Sequence, residues 1–198
     1  MNHHLTSLAV ALQAVDAQAP RLQSWGATAA SVLLAGGRLL VCGAGGSEAQ
    51  VQHLVAALAQ PEDDRPALAV SALSGADLGT QVREAGRPGD ILFCICATGS
   101  SDDLAGCAHE AHELGLVTWA LTGPDPNQVA GACADAVAVP AAAVSTAEEV
   151  HLAAIHIFCS AVDSAVRDAM RSHETPAPAV VPWPTRPSGV GLRPGFAR

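Results

Sequence analysis

One run of seven residues, Asp90-Ile-Leu-Phe-Cys-Ile-Cys96, most constrains what this chain can fold into. Every position after the aspartate is apolar, without the alternation of a half-exposed strand, so the run predicts a strand buried on both faces. Buried strands that alternate with helices are typical of a parallel sheet covered on both sides. The sequence therefore predicts a three-layer α/β/α fold with about five parallel strands, the others being at 38–42, 67–71, 116–121 and 134–139.

Helical spacing of apolar residues accounts for most of the remaining chain. It predicts an N-terminal helical pair, at 3–18 and from Pro20 to Leu34, and a long C-terminal helix from about Thr146 to Arg171. Shorter helices are predicted at 48–59 and 101–114. Residues 1–171 are therefore expected to form a single domain. Residues 172–198 contain six prolines and are expected to form a mobile tail without helix or strand.

Charge and composition exclude several classes of function. The chain has a formal net charge of -9 and no lysine, so it has no basic surface for nucleic acid and no lysine to form a Schiff base. No apolar stretch approaches the roughly 20 charge-free residues of a membrane span, so no membrane partner is expected. The six cysteines form no C-x-x-C pair and lie mostly in apolar runs, which favours reduced core thiols and a cytoplasmic location.

Two turns that follow predicted strands are suited to bind an anion. The first turn runs from Gly43 to Ser47. Its glycines, Gly45 and Gly46, allow backbone N–H groups to point at a ligand, and Ser47 adds a hydroxyl at its end. The second, Ala97 to Ser101, offers Thr98, Gly99, Ser100 and Ser101. Ligands of open parallel sheets bind beyond the carboxyl ends of the strands, where both turns are expected. Alone, each could equally be a tight turn with a helix cap.

Four motifs in order resemble the SIS (sugar isomerase) domain family, and within it the phosphoheptose isomerases. Cys42-Gly-Ala-Gly-Gly-Ser47 is similar to the family's C-G-N-G-G-S loop, and 89–101 is similar to its G-D-V-L-x-x-I-S-T-S-G-N-S segment. Leu121-Thr-Gly-Pro-Asp125 matches L-T-G-x-D, and Glu149 to His156 matches E-x-H-x-x-x-I-H. The resemblance covers roughly residues 1–171 and implies an SIS-type, flavodoxin-like fold and a homotetramer.

The resemblance also implies a ligand, a sugar phosphate such as sedoheptulose 7-phosphate. Its phosphate is expected on the two turns, at Gly45, Gly46, Ser47, Thr98, Gly99, Ser100 and Ser101. Cys96 and Ala97 stand where the family has serine and threonine, which removes two hydroxyl donors.

The catalytic residues of the family are only partly retained. The resemblance implies His53 as its first histidine, but Ala57 occupies the position of its catalytic glutamate. On the last helix His156 matches a family histidine, and Glu148 replaces a glutamine. Aldose–ketose isomerisation needs a base and an acid or metal, so His156 and Glu148 are the predicted catalytic residues. His53, Glu148 and His156 could also hold zinc, or they could be remnants of an ancestral site.

Two functions are therefore open on the sequence alone. The first is isomerisation of a heptose phosphate. The second is a regulator or assembly protein that binds a phosphosugar without converting it, as the missing glutamate at Ala57 would allow. The histidines favour the first and Ala57 favours the second.

Overall fold

The computed structural model describes residues 3–62 and 65–172 of the 198-residue chain. Within them, five strands form one parallel sheet in the order β2-β1-β3-β4-β5. This confirms the predicted sheet. The strands are β1 (Leu39–Gly43), β2 (Val70–Leu73), β3 (Ile91–Cys96), β4 (Val117–Thr122) and β5 (Asp135–Ala138).

Within the described residues, seven α-helices cover the two faces of this sheet. The N-terminal pair and the long last helix form as predicted, the latter beginning two residues earlier than expected. The helices are α1 (His3–Asp16), α2 (Ala19–Leu34), α3 (Glu48–Ala59), α4 (Leu78–Ala85), α5 (Asp102–Glu113), α6 (Gln128–Ala132) and α7 (Val144–Ser172). The tail predicted for 172–198 lies outside the described residues, apart from Ser172 at the end of α7.

Three differences from the predicted elements have local causes. Helices α4 and α6 are short, and α4 buries only Leu78 and Val82, too few apolar positions to show a helical period. Strand β2 begins at Val70, three residues after the predicted start, because Ala67 and Ala69 are exposed and only Val70 onward pairs with β1. Tertiary pairing, not composition, sets this boundary.

Each face of the sheet has its own core. Along β3, Ile91, Phe93 and Ile95 face the layer of α1, α2, α3 and α7, while Leu92, Cys94 and Cys96 face α4, α5 and α6. Because both faces are apolar, the strand shows no alternation, as the sequence predicted. All six cysteines are free, and all except the half-buried Cys133 are buried.

Helix α7 is the one helix among the described residues that is long and apolar enough to cross a membrane by length and composition. It carries buried residues along its length, among them Val150, Ile155, Phe158 and Val162, which belong to the core of the sheet. Its apolar character is therefore explained by packing within the domain.

The strand order places a switch point between β1 and β3. The chain leaves β1 through α3 toward β2 on one side, whereas β3, β4 and β5 follow one another on the other side. Such a point opens a crevice at the carboxyl ends of the two central strands, where ligands of doubly wound sheets bind. The two turns singled out in the sequence follow these two strands.

Candidate functional site

The two anion-binding turns lie side by side at the switch point and are joined by a hydrogen bond. The Ser47 hydroxyl oxygen accepts the N–H of Ala97 at 3.2 Å. A backbone bond from Ala44 N–H to the Ile95 carbonyl, at 3.3 Å, continues the pairing of β1 with β3 past Gly43. The predicted convergence of the turns is therefore present in the structure.

Glycine conformations shape both turns. Gly45 has φ of 60° and Gly99 has φ of 71°, the left-handed region that glycine adopts without steric cost. Gly45 begins a 3-10 turn that leads into α3, and Gly99 lies between β3 and α5. Both turns therefore reverse the chain tightly at the end of a strand.

The four predicted hydroxyls have different surroundings. Ser47 is fully buried, so its hydroxyl holds the two turns together below the surface. The Ser101 oxygen accepts the Leu104 N–H at 3.3 Å and caps α5. Thr98 and Ser100 are exposed, and Ser100 donates its N–H to the Thr98 hydroxyl at 3.3 Å. Thr98 and Ser100 are thus the hydroxyls most open to a ligand.

Neither turn carries a cation. The chain has no lysine, and none of the described arginines lies within 43–47 or 97–101. An anion here would be held by backbone N–H groups, hydroxyls and the N-terminus of the twelve-residue helix α5. The first turn of α5 also carries Asp102 and Asp103, which oppose the approach of an anion.

Glu148 lies against the glycine turn, which is the turn at 43–47 after β1. Its Oε1 is 2.0 Å from the position that a Cβ on Gly46 would occupy, so the carboxylate fills the space left by this glycine. The amide of Gln50 donates to the Glu148 carbonyl at 2.7 Å and fixes the start of α7 beside α3. Since a carboxylate and a phosphate repel each other, Glu148 disfavours a phosphate on the turn at 43–47, as Asp102 and Asp103 do beside the turn at 97–101.

His53 on α3 and His156 on α7 form an exposed pair. Their Nε2 atoms are 2.8 Å apart, so the N–H of one ring donates a hydrogen bond to the Nε2 of the other. The structure therefore brings these two predicted residues together. Ala57, one helical turn after His53, places no carboxylate beside them.

The donor set bears on the predicted zinc site. Catalytic zinc sites generally keep three protein ligands. Residues 3–62 and 65–172 contain no group of three His, Cys, Asp or Glu side chains placed to hold a metal, and the Glu148 carboxylate contacts Gly46 instead of completing one. His53 and His156 alone supply too few ligands. Zinc binding by His53, Glu148 and His156 therefore stays a prediction.

Arg65, which the sequence analysis did not single out, fixes the two helices that carry the histidines. Its fully buried side chain makes a salt bridge to Asp163 on α7, with 2.6 Å between Nε and Oδ1. Its other nitrogens donate to backbone carbonyls at the end of α3 and just beyond, those of Ala57, Leu58, Gln60 and Pro66. Burial raises the pKa of Asp163 against the opposing effect of Arg65. No sequence signal distinguishes this arginine from a surface one.

His151 is a second residue whose role the sequence did not reveal. It is fully buried on α7, and its Nε2 donates to the Thr122 carbonyl at the end of β4, at 3.0 Å. Its Nδ1 has no partner among the described residues. Burial lowers the pKa of His151 to about 4, because a proton on Nδ1 would be buried without an acceptor. Neutral His151 thus holds α7 against the carboxyl end of β4, on the side of the sheet where the strands end and the site lies.

Comparison with known proteins agrees with this geometry. The family described as "SIS domain" matches residues 3–123. The chain is 39% identical over 179 residues to a phosphoheptose isomerase of Streptomyces coelicolor, covering 82% of this chain and 78% of that protein. It is 33% identical to the Thiobacillus denitrificans phosphoheptose isomerase, covering 83% of this chain and 93% of that one.

Solved structures show the same fold. A phosphoheptose isomerase from Francisella tularensis superposes with a TM-score of 0.72 at 26% identity, covering 82% of this chain and 96% of that chain. One from Neisseria gonorrhoeae gives a TM-score of 0.71 at 28% identity, covering 81% and 95%. The three-layer fold of the described residues is therefore shared with these two proteins.

The buried His151 predicts a pH dependence of stability. Its pKa is about 4 in the folded protein and near 6.5 in the unfolded chain, so the unfolded chain takes up the proton first. Its contribution is fully present above pH 6.5 and falls as pH drops toward 4, by up to about 3 kcal/mol. When the free energy of unfolding is measured in urea between pH 4 and 6.5, His151→Gln should lose the part of its pH dependence that the protonation of His151 causes. The exposed His109→Gln should retain it, and equal slopes for all three proteins would contradict the assignment.

Proposed function

Because the chain belongs to the SIS domain family, we propose that it binds a heptose phosphate, sedoheptulose 7-phosphate, and slowly catalyses its aldose–ketose isomerisation. The observation that carries the proposal is the locked pair of turns at the β1/β3 switch point, with Glu148 against one turn and the His53–His156 pair on the adjoining helices. Neutral donors at the turns would bind the phosphate, and the carboxylate and imidazoles would transfer protons.

The phosphate is assigned to the second turn. Thr98 and Ser100 present exposed hydroxyls there, and the N-terminus of α5 follows this turn directly, at Asp102. The Glu148 carboxylate at Gly46 disfavours a second negative group on the first turn. The sugar is then expected to extend from Thr98 past Gly46 toward α3 and α7.

Isomerisation moves one proton between two carbons. A base removes a proton from C1 of the ketose, an enediol forms, and the proton is returned to C2 while the hydroxyl proton shifts from O1 to O2. His156, paired with His53, and Glu148 are the groups we assign to these transfers. Glu148 lies eight residues from His156, about 12 Å along α7, so it reaches the reacting carbons less directly than a carboxylate at Ala57 would. The reaction is therefore expected to be slow.

The outer helices suggest self-association. Helices α1 and α7 expose large apolar side chains, namely Leu5, Val10, Leu12, Val144, Leu152 and Met170. A groove of about 630 Å³ runs along α7 beside His156. A second copy of the chain would cover this surface, and we propose a homotetramer in the cytoplasm.

Phosphate binding at the second turn can be tested with Thr98→Val, which keeps the shape and removes the hydroxyl. Loss of one hydrogen bond to a charged group should weaken binding of sedoheptulose 7-phosphate by roughly 1 to 2 kcal/mol, or about five- to thirtyfold, by calorimetry. Thr28→Val, on α2 and away from the turns, is the matched control and should bind as the wild type does. Equal affinity of both variants would remove the assignment.

Catalysis can be tested with two variants in which an alanine of α3 is replaced by glutamate. Ala57→Glu restores a carboxylate one turn after His53 and should raise isomerase turnover at least tenfold. Ala56→Glu, whose side chain is exposed one residue earlier, should not. Glu148→Gln should lower the wild-type rate at least tenfold while leaving sugar-phosphate binding measurable.

Two outcomes would contradict the catalytic proposal. Wild-type turnover near the typical enzyme rate of about 10 per second would show that the carboxylate at position 57 is dispensable. Binding without turnover in the wild type and in Ala57→Glu would identify a phosphosugar-binding regulator instead.

Light scattering tests the proposed assembly. The wild type should have four times the 20.0 kDa mass of the chain at micromolar concentration. Leu152→Glu places a charge on the exposed apolar face of α7 and should reduce the measured mass, whereas His109→Glu, on the opposite layer, should leave it unchanged. A wild-type monomer would refute the tetramer.

A further inference from the structure

The short helix α6 packs against the phosphate turn, which is the turn at 97–101 to which we assign the phosphate. Val129 donates its N–H to the Gly99 carbonyl at 3.0 Å, and a Cβ on Gly99 would lie 2.5 Å from Cγ of Asn127. The Asn127 amide is itself fixed, since its Nδ2 donates to Thr122 Oγ1 at 3.0 Å and its Oδ1 accepts the Ala130 N–H at 2.9 Å. The backbone at the start of α6 therefore has a defined position relative to the turn.

From this position Gln128 reaches across to the start of α5. Its Oε1 accepts the Ser101 N–H at 3.1 Å, and its Nε2 donates to Asp102 Oδ1 at 2.6 Å. This is the only orientation of the amide that satisfies both partners, because an N–H needs an acceptor and a carboxylate needs a donor. Both ends of the Gln128 side chain are thus engaged at the turn assigned to the phosphate.

The contact uses a donor that a phosphate needs. Ser100 N–H is already bonded to Thr98, and Ser101 N–H is bonded to Gln128. A phosphate oxygen is charged and accepts a hydrogen bond more strongly than an amide oxygen does. Gln128 is exposed, so once displaced its side chain can be hydrated. When the phosphate displaces Gln128, Asp102 also loses its hydrogen bond from the Gln128 amide. That bond offsets part of the Asp102 charge beside the incoming anion.

We propose that Gln128 is an affinity-determining residue of this site: in the free protein it occupies the Ser101 N–H, and the ligand's phosphate displaces it. The inference rests on the proposed function, because it assigns the phosphate to the turn at Thr98. Gln128 competes with the phosphate for one donor, so it weakens sugar-phosphate binding.

Calorimetry with sedoheptulose 7-phosphate tests the competition. Gln128→Ala frees the Ser101 N–H and should lower the Kd roughly three- to tenfold, because the two hydrogen bonds of Gln128 no longer have to be exchanged for hydration. Gln13→Ala, on the exposed face of α1, is the matched control and should leave the Kd unchanged. An unchanged or higher Kd for Gln128→Ala would overturn the inference, the higher value showing that Gln128 binds the ligand itself.

Nuclear magnetic resonance gives a second readout on the wild type. The side-chain amide signal of Gln128, assigned by its loss in Gln128→Ala, should move on titration with sedoheptulose 7-phosphate, together with the backbone amide signal of Ser101. Movement of the Ser101 signal alone would overturn the displacement while supporting the phosphate site. Absence of binding to the wild type and to Gln128→Ala at millimolar ligand would overturn the proposed function as well.

Discussion

The hydrogen bond from Ala97 N–H to the Ser47 hydroxyl is the interaction on which the site depends. It joins the turns that follow β1 and β3, the two strands between which the sheet changes its direction of winding. Ser47 is fully buried, so its hydroxyl has no water to replace Ala97, and loss of the bond would leave a buried N–H unpaired. Without it, only the bond from Ala44 N–H to the Ile95 carbonyl and the pairing of β1 with β3 would hold the turn at 43–47 beside the turn at 97–101.

The sequence was most informative where local pattern and tertiary structure agree. β3 could be predicted because burial on both faces requires an unbroken apolar run. The position of the two turns followed from the rule that parallel strands end at one edge, and the long helix α7 followed from its apolar spacing. These features depend on periodicity, which a sequence carries directly.

Features that depend on single long-range contacts could not be predicted. Arg65 resembles a surface residue of a polar segment, yet it is buried because the carbonyls at the end of α3 and Asp163 surround it. Gln128 lies in a helix of five residues, too short for a period, and it contacts Ser101, 27 positions away. Ser47 reads as an exposed ligand hydroxyl, but the neighbouring turn covers it. In each case the decisive partner is distant in sequence.

Carboxylates near the turns connect binding with catalysis. Relative to the phosphoheptose isomerases that the sequence resembles, the chain lacks a carboxylate at Ala57 and has one at Glu148, where those have glutamine. The number of carboxylates available for proton transfer is thus retained, but the carboxylate has moved from α3 beside the histidine pair to the start of α7 beside Gly46. There it adds repulsion to that of Asp102 and Asp103 around an anion held only by neutral donors. We therefore expect this one relocation both to weaken phosphate binding and to slow proton transfer.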